Sequence, residues 1–219
     1  MCIMTMSLNA VLIEPFETID MKLKTGDILL FSERPTQCCM ACLDCLIKKC
    51  TCSQYSHSAI VIVDPPWAPT LKGVFVWESS WHGHPDPQDG LVKMGVQLTE
   101  LSFYTQRYPG GVQIWVRRAP FNIATPSQWI ALHTRVYKHG YDTRPYDWIS
   151  AALGRKIKCQ TDTFTCSAFV SFVLTQFHQL EHDTCWTTVT AADFSSQRNS
   201  KLVRFIHNWP TDEYIGSFP

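Results

Sequence analysis

The alternation and clustering of apolar positions divide this chain into strands first and helices afterwards. "LKTGDILLF" (Leu23 to Phe31) sets a turn at Thr25-Gly26-Asp27 ahead of a short apolar strand. "YSHSAIVIV" (Tyr55 to Val63) is rich in β-branched residues and reads as a buried strand, stopped by Asp64-Pro65-Pro66. "GVFVWESS" (Gly73 to Ser80) is the next strand, antiparallel to the last across a loop of Pro and Trp. Residues 81–91 read as a loop and "GVQLTELSFY" as a strand and a turn. In "GGVQIWVRRA" (Gly110 to Ala119), Val112, Ile114 and Val116 alternate with neighbours on the other face, as in a further strand.

The spacing then becomes helical. Residues 126–139 place Trp129, Leu132 and Val136, with His133, along one side; Pro126 suits the first turn and Gly140 ends the segment. Thr163 to Leu180 gives the clearest helix, with Phe169, Val173, Phe177 and Leu180 at spacings of four, four and three. Thr163 or Thr165 caps it, which puts Cys166 in its first turn. Patterning weakens beyond this point, and a final helix is expected around Leu202 to Trp209. Residues 1–21 read as a variable leader, and 35–52 as a cysteine-rich insertion with a short helix after Pro35. Strands before helices, with no repeats, predict a single α+β domain over residues 22–219.

Charge and cysteine usage narrow the function. Nineteen acidic and nineteen basic residues balance, which argues against nucleic acid as the main partner. No apolar run approaches the ~20 residues of a membrane-spanning helix. The apolar start (Met1 to Phe16) lacks the positive leader of a signal peptide, and Cys2 in place of Gly excludes N-myristoylation. Six of the ten cysteines (Cys38, Cys39, Cys42, Cys45, Cys50 and Cys52) fall within fifteen residues, unlike the spread framework of a secreted disulfide domain. A reducing, cytoplasmic setting is expected, including association with a membrane or packaging in a virion. The cluster itself admits plain packing, zinc binding, or S-acylation beside Lys48 and Lys49 that would give peripheral membrane contact. No metal centre or cofactor is expected.

The candidate chemistry rests on three residues. A thiol attacks as its thiolate, and both a helix N-terminus and a nearby imidazole favour that form; Cys166 has the first by position. Packing as a small buried hydrophobe remains its alternative. His57 lies in a strand otherwise made of apolar residues, where a core histidine and a catalytic base look alike. Glu78 lies in "VFVWESS", where an inward carboxylate is costly unless paired, and a histidine on an adjacent strand is the natural partner. The His82-x-His84 pair reads as exposed loop, with metal or substrate contact as alternatives, while Trp67, Trp77 and Trp81 read as core or cleft lining.

The order "GDILLF", "YSHSAIVIV", "VFVWESS", "RPYDW", "TCSAFVSFVL", with "VTAADFSS" near the end, resembles the circularly permuted branch of the NlpC-type papain-like enzymes. That branch includes YiiX-like proteins and relatives in large DNA viruses, and the resemblance covers about residues 22–195. It implies a permuted papain-like fold, an antiparallel sheet packed against the helix that bears the cysteine nucleophile. It also implies Cys166 as nucleophile, His57 as base and Glu78 as third member, with Tyr146 matching a tyrosine beside the active site. Lecithin retinol acyltransferase-like relatives use a second histidine where this chain has Glu78, so they are more distant. The implied reaction is a thiol hydrolase acting on an amide, peptide or ester through an acyl-thioester, with the oxyanion held by the Cys166 N–H and by Tyr55 or Tyr146. A lipid acyltransferase or phospholipase on the same residues, and a non-catalytic viral or scaffold protein keeping the fold, are the alternatives. The partner is then a small molecule, a peptide or a lipid.

Overall fold

The structure, a computed structural model, describes residues 23–33, 48–49, 51–108, 110–142, 162–198 and 200–218. The leader, most of the cysteine-rich segment (Cys38, Cys39, Cys42, Cys45 and Cys50) and Tyr146 lie outside the described residues. Among the described residues the strands are β1 (Ile28–Glu33), β2 (His57–Val63), β3 (Val74–Ser80), β4 (Gly95–Glu100), β5 (Val112–Arg117), β6 (Gly140–Tyr141), β7 (Thr163–Phe164) and β8 (Glu213–Phe218). Two α-helices lie wholly within the described residues, α1 (Pro126–Val136) and α2 (Cys166–Gln176). The strands form one sheet in the order β7-β6-β4-β3-β2-β1-β5-β8, antiparallel except for the short β6–β7 pair. The architecture is α+β, with a mostly antiparallel sheet and few helices.

Both faces of the central strands are buried, which is why β2 reads as a continuous apolar run. On one face Ile60, Ile62, Phe75, Trp77 and Leu98 pack beneath α2 through Phe169 and Val173. On the other, Leu29, Phe31, Ala59, Val61 and Val76 are covered by Leu101, Phe103, Tyr104 and Phe218. Trp77 is the anchor of the first core: its ring meets Phe169 edge-on at 4.8 Å and Trp129 at 6.0 Å. Side chains of this size each contribute about 1.5–3 kcal/mol when buried. In α2, every residue from Cys166 to Thr175 is buried, so the helix enters the core rather than lying on it.

Caps set the helix starts. Thr125 and Gln128 form a reciprocal capping box, with Pro126 just inside α1. That helix stops at Val136, short of the expected residue 139, because His139 leaves to pair: its carbonyl accepts the Val96 N–H. Thr165 caps α2, and Thr163–Phe164 before it are strand rather than helix. The turn expected after β4 is a π-helical one, Phe103–Arg107.

The C-terminal segment departs from expectation. Leu202 to Trp209 is not a helix, because its backbone is engaged elsewhere: Ile206 N–H donates to Gln179 O, and Arg204 O accepts the Glu181 N–H. Phe205 forms a bridge with Leu180, and Arg204 pairs with Glu181 and Asp183. The chain then ends in β8, which the sequence reading lacked; it pairs with β5 through an irregularity between Ile114 and Trp115. Among the described residues no helix is long and apolar enough to cross a membrane.

Candidate active site

The site forms where two paired strands stop pairing. The β2–β3 ladder ends at Ile60↔Trp77, although β2 runs back to His57 and β3 runs on to Ser80. The first turn of α2 enters at this opening. Ser58 Oγ donates to Ser167 Oγ (3.3 Å), and Ser79 Oγ donates to the Phe164 carbonyl (2.7 Å), so both strands grip the chain around Cys166. The Ser58 backbone, beyond the end of the ladder, also helps to lower the Cys166 thiol.

His57 is the first residue of β2, and its imidazole and the Cys166 thiol are near enough for each to shift the ionisation of the other. Both are nearly sealed, with 8% of His57 and 9% of Cys166 exposed. The imidazole packs against Phe31 at 5.3 Å and Tyr104 at 6.4 Å. Its Nε2–H donates to Glu78 Oε2 at 2.5 Å, which leaves Nδ1 for the sulfur. The three residues expected to act together are therefore brought together.

Their electrostatics oppose burial and overcome it. Burial alone would lower the basicity of His57, yet the Cys166 charge and the hydrogen bonds from Cys166 and Glu78 raise it well above the ordinary imidazole value. Burial alone would raise the Cys166 thiol, yet the His57 cation, with hydrogen bonds from His57, Ser167 and Ser58, lowers it. Both shifts run in the direction of a thiolate–imidazolium pair. Glu78 has no exposed surface; burial favours its neutral form, but donors from His57 and His82 hold the carboxyl far below its usual range.

The Glu78 surroundings were not foreseen. Tyr104 donates to Oε2 (2.7 Å), while Thr99 (2.6 Å) and His82 (3.2 Å) reach Oε1. Thr99 lies in β4, Tyr104 in the π-helical turn and His82 in the loop after β3, so no local spacing joins them. The H-x-H pair held the one available signal. His82 is tied into the protein at both ring nitrogens, since its Nδ1 accepts the His84 N–H (3.1 Å). Tyr55, expected as an oxyanion donor, gives its hydroxyl proton to Asp212 Oδ2 (2.8 Å) and packs edge-on to Trp115. At the helix start, Thr165 Oγ1 takes the Ala168 N–H (3.2 Å), and the Cys166 N–H has no partner among the described residues. Trp77 is core, Trp67 is partly buried against it, and Trp81 is 55% exposed. No group of three His, Cys, Asp or Glu side chains suited to a metal ion occurs among the described residues.

Fold and site define an α+β domain in which a helix-borne thiol lies beside a strand-borne imidazole that is hydrogen-bonded to a buried carboxylate. No protein-family model matches this chain, and no curated protein does. It is similar to a solved structure, the metalloprotein yiiX from Escherichia coli O157:H7, at 18% identity with a TM-score of 0.44. The match covers 69% of this chain and 64% of that one, so the chain spans less than two thirds of that relative's length.

Proposed function

We propose that this protein is a cysteine-dependent hydrolase or acyltransferase of permuted papain-like type, with Cys166 as nucleophile, His57 as proton carrier and Glu78 orienting His57. The observation that carries the reading is the meeting of Cys166, at the start of α2, with the His57 imidazole that Glu78 holds, each favouring the charged form of the other. The chain order, histidine strand before cysteine helix, supports the permuted form.

In the first step the Cys166 thiolate attacks an acyl carbon and a C–S bond forms. The carbonyl oxygen becomes an oxyanion beside the Cys166 N–H, which has no partner among the described residues. As the oxyanion collapses, the bond to the leaving group breaks and His57 gives that group its proton. In the second step water gives a proton to His57 and its oxygen to the thioester carbon. The C–S bond breaks, the acid leaves, and thiolate and imidazolium are restored. An amine or alcohol in place of water makes the same sequence a transfer. Glu78 stays ionised throughout and keeps the His57 Nε2–H directed away from sulfur.

The test is covalent labelling by an electrophilic acyl mimic at about pH 6, where ordinary thiols with a pKa of ~8.5 are mostly protonated. Labelling is expected at Cys166, to vanish in Cys166→Ala, and to fall steeply in His57→Ala. Equal labelling of Cys166 and the exposed Cys52 at that pH would reject the proposal.

A further inference from the structure

We infer that His82, as its neutral Nε2–H tautomer, is a positioning residue that locks the plane of the Glu78 carboxylate behind His57. The inference rests on the thiol chemistry proposed above and adds a fourth member to it.

The tautomer follows from the donors around the ring. His84 N–H points at Nδ1 (3.1 Å), so Nδ1 is an acceptor and carries no proton. The ring proton is then on Nε2, which lies 3.2 Å from Glu78 Oε1 and 3.0 Å from Thr99 Oγ1. Thr99 gives its own proton to Glu78 Oε1 (2.6 Å), which leaves its lone pairs facing His82. Every polarity in this triangle agrees.

Gln97 supplies an independent observation. Its amide is fully buried, and its oxygen has no partner while its nitrogen faces His82 Nε2 at 3.2 Å. The two ends of an amide have nearly the same shape. Turned over, the Gln97 oxygen accepts from the His82 Nε2–H and from the Ser80 hydroxyl, its other neighbour. Three polar residues, Glu78, Thr99 and Gln97, thus converge on a proton at His82 Nε2. Phe103 packs on the same imidazole at 4.8 Å and keeps it from swinging out.

The consequence lies in the shape of the carboxylate. Oε2 carries His57 and Tyr104, and Oε1 carries Thr99 and His82. A carboxylate held at one oxygen turns about its last bond; held at both, it presents Oε2 to His57 in one orientation. Thr99 alone is a weak anchor, because its hydroxyl rotates. The titratable groups facing Glu78 are His57 from β2, Tyr104 from the π-helical turn and His82 from the loop, with Cys166 beyond His57.

The two ways in which His82 can matter predict opposite signs. Losing a donor makes Glu78 more basic, which by itself strengthens the imidazolium and moves thiolate formation to lower pH. Losing an anchor lets Glu78 turn away, which weakens the imidazolium and moves thiolate formation to higher pH. The experiment is the rate of Cys166 alkylation by iodoacetamide against pH in the full chain, read by mass spectrometry of the Cys166 peptide. In His82→Ala the thiolate limb is expected to move up by about one pH unit, about a tenfold loss of rate on the acid side. His82→Gln places an amide N–H where Nε2 stands and is expected to recover most of it. His82→Asn mimics Nδ1 only, so it keeps the His84 contact without reaching Glu78 and is expected to behave like Ala. The Gln and Asn pair decides the matter if the Ala variant does not fold. A limb unchanged or lowered in Ala or Asn, or equal behaviour of Gln and Asn, overturns the inference and leaves the thiol reading standing. An ordinary thiol limb in the unaltered protein overturns the thiol reading itself.

Discussion

Among the described residues three carboxylates, Asp27, Glu78 and Asp86, have no exposed surface, and the first two make an instructive pair. Asp27 stands just before β1 and accepts from Ala119 N–H (2.8 Å), Lys24 N–H (3.1 Å) and the Arg118 guanidinium (3.2 Å). It closes the entry turn and fastens it to the segment after β5. Even so, burial pushes its carboxyl above the usual 3.8 despite those donors. Glu78 is buried as deeply, yet donors from His57 and His82 hold it well below the usual 4.5. The difference lies in the partners. Asp27 is held largely by backbone amides that join chain segments, whereas Glu78 is held by side chains, one of which touches sulfur. Depth of burial does not distinguish these two carboxylates; the identity of their donors does.

The sharpest way to break that comparison is to neutralise one carboxylate and truncate the other. Glu78→Gln keeps the shape of the side chain but removes the charge that faces the His57 cation. Cys166 alkylation at about pH 6 is expected to fall by about 10²–10³-fold, as with other neutralised members of such relays. Asp27→Ala is expected to leave that rate within a factor of about two while costing about 2–4 kcal/mol of stability in urea unfolding, because buried amides and Arg118 lose their acceptor. If Asp27→Ala slowed alkylation as much as Glu78→Gln, the division of roles would fail.

A smaller effect, and one of opposite sign at the two sites, appears in the dependence of stability on pH. Glu78 has a depressed folded pKa, so its contribution is complete above 4.5 and is lost as pH falls below that value. Asp27 has a raised folded pKa, so the folded state keeps a proton that the unfolded state releases, and stability declines as pH rises through 3.8. Glu78→Gln is therefore expected to flatten the acid-side loss, and Asp27→Asn to steepen it, in urea midpoints measured between about pH 3 and pH 6. Raised His57 stabilises below 6.5 and loses its effect as pH climbs through its folded value; lowered Cys166 stabilises above 9.0 and loses its effect as pH drops through its own.

The same contrast explains what the sequence made legible. Cys166, His57 and Glu78 each break a local pattern: a thiol in a helix's first turn, an imidazole in a β-branched run, a carboxylate among apolar strand residues. Thr99 and Tyr104 break none, because a threonine in a strand and a tyrosine in a turn are ordinary there. Their meaning comes from β3–β4 pairing, which sets Glu78 against Gln97 and brings Thr99 to its side. The π-helical turn that delivers Tyr104 has no sequence mark of its own. Leu202 to Trp209 failed as a helix for a related reason, since its carbonyls and amides answer to residues 179–181 rather than to one another. Local periodicity carries local hydrogen bonds; it does not carry those made across the fold.

Tyr104 offers the finest test. Its hydroxyl donates to Oε2, the oxygen that also serves His57, so the two donors compete for one acceptor. Tyr104→Phe keeps the ring that covers Phe31 at 4.6 Å and removes the competing hydroxyl. The carboxylate then gives more of its charge to His57, the imidazolium strengthens, and the thiolate persists to lower pH. Anchoring at Oε1 by Thr99 and His82 is untouched, so orientation is kept. The alkylation limb is expected to move down by a few tenths of a pH unit, with the acid-side rate rising about twofold. An upward shift instead would mean that Oε2 needs Tyr104 for its placement, and that the two oxygens of Glu78 do not divide orientation from charge.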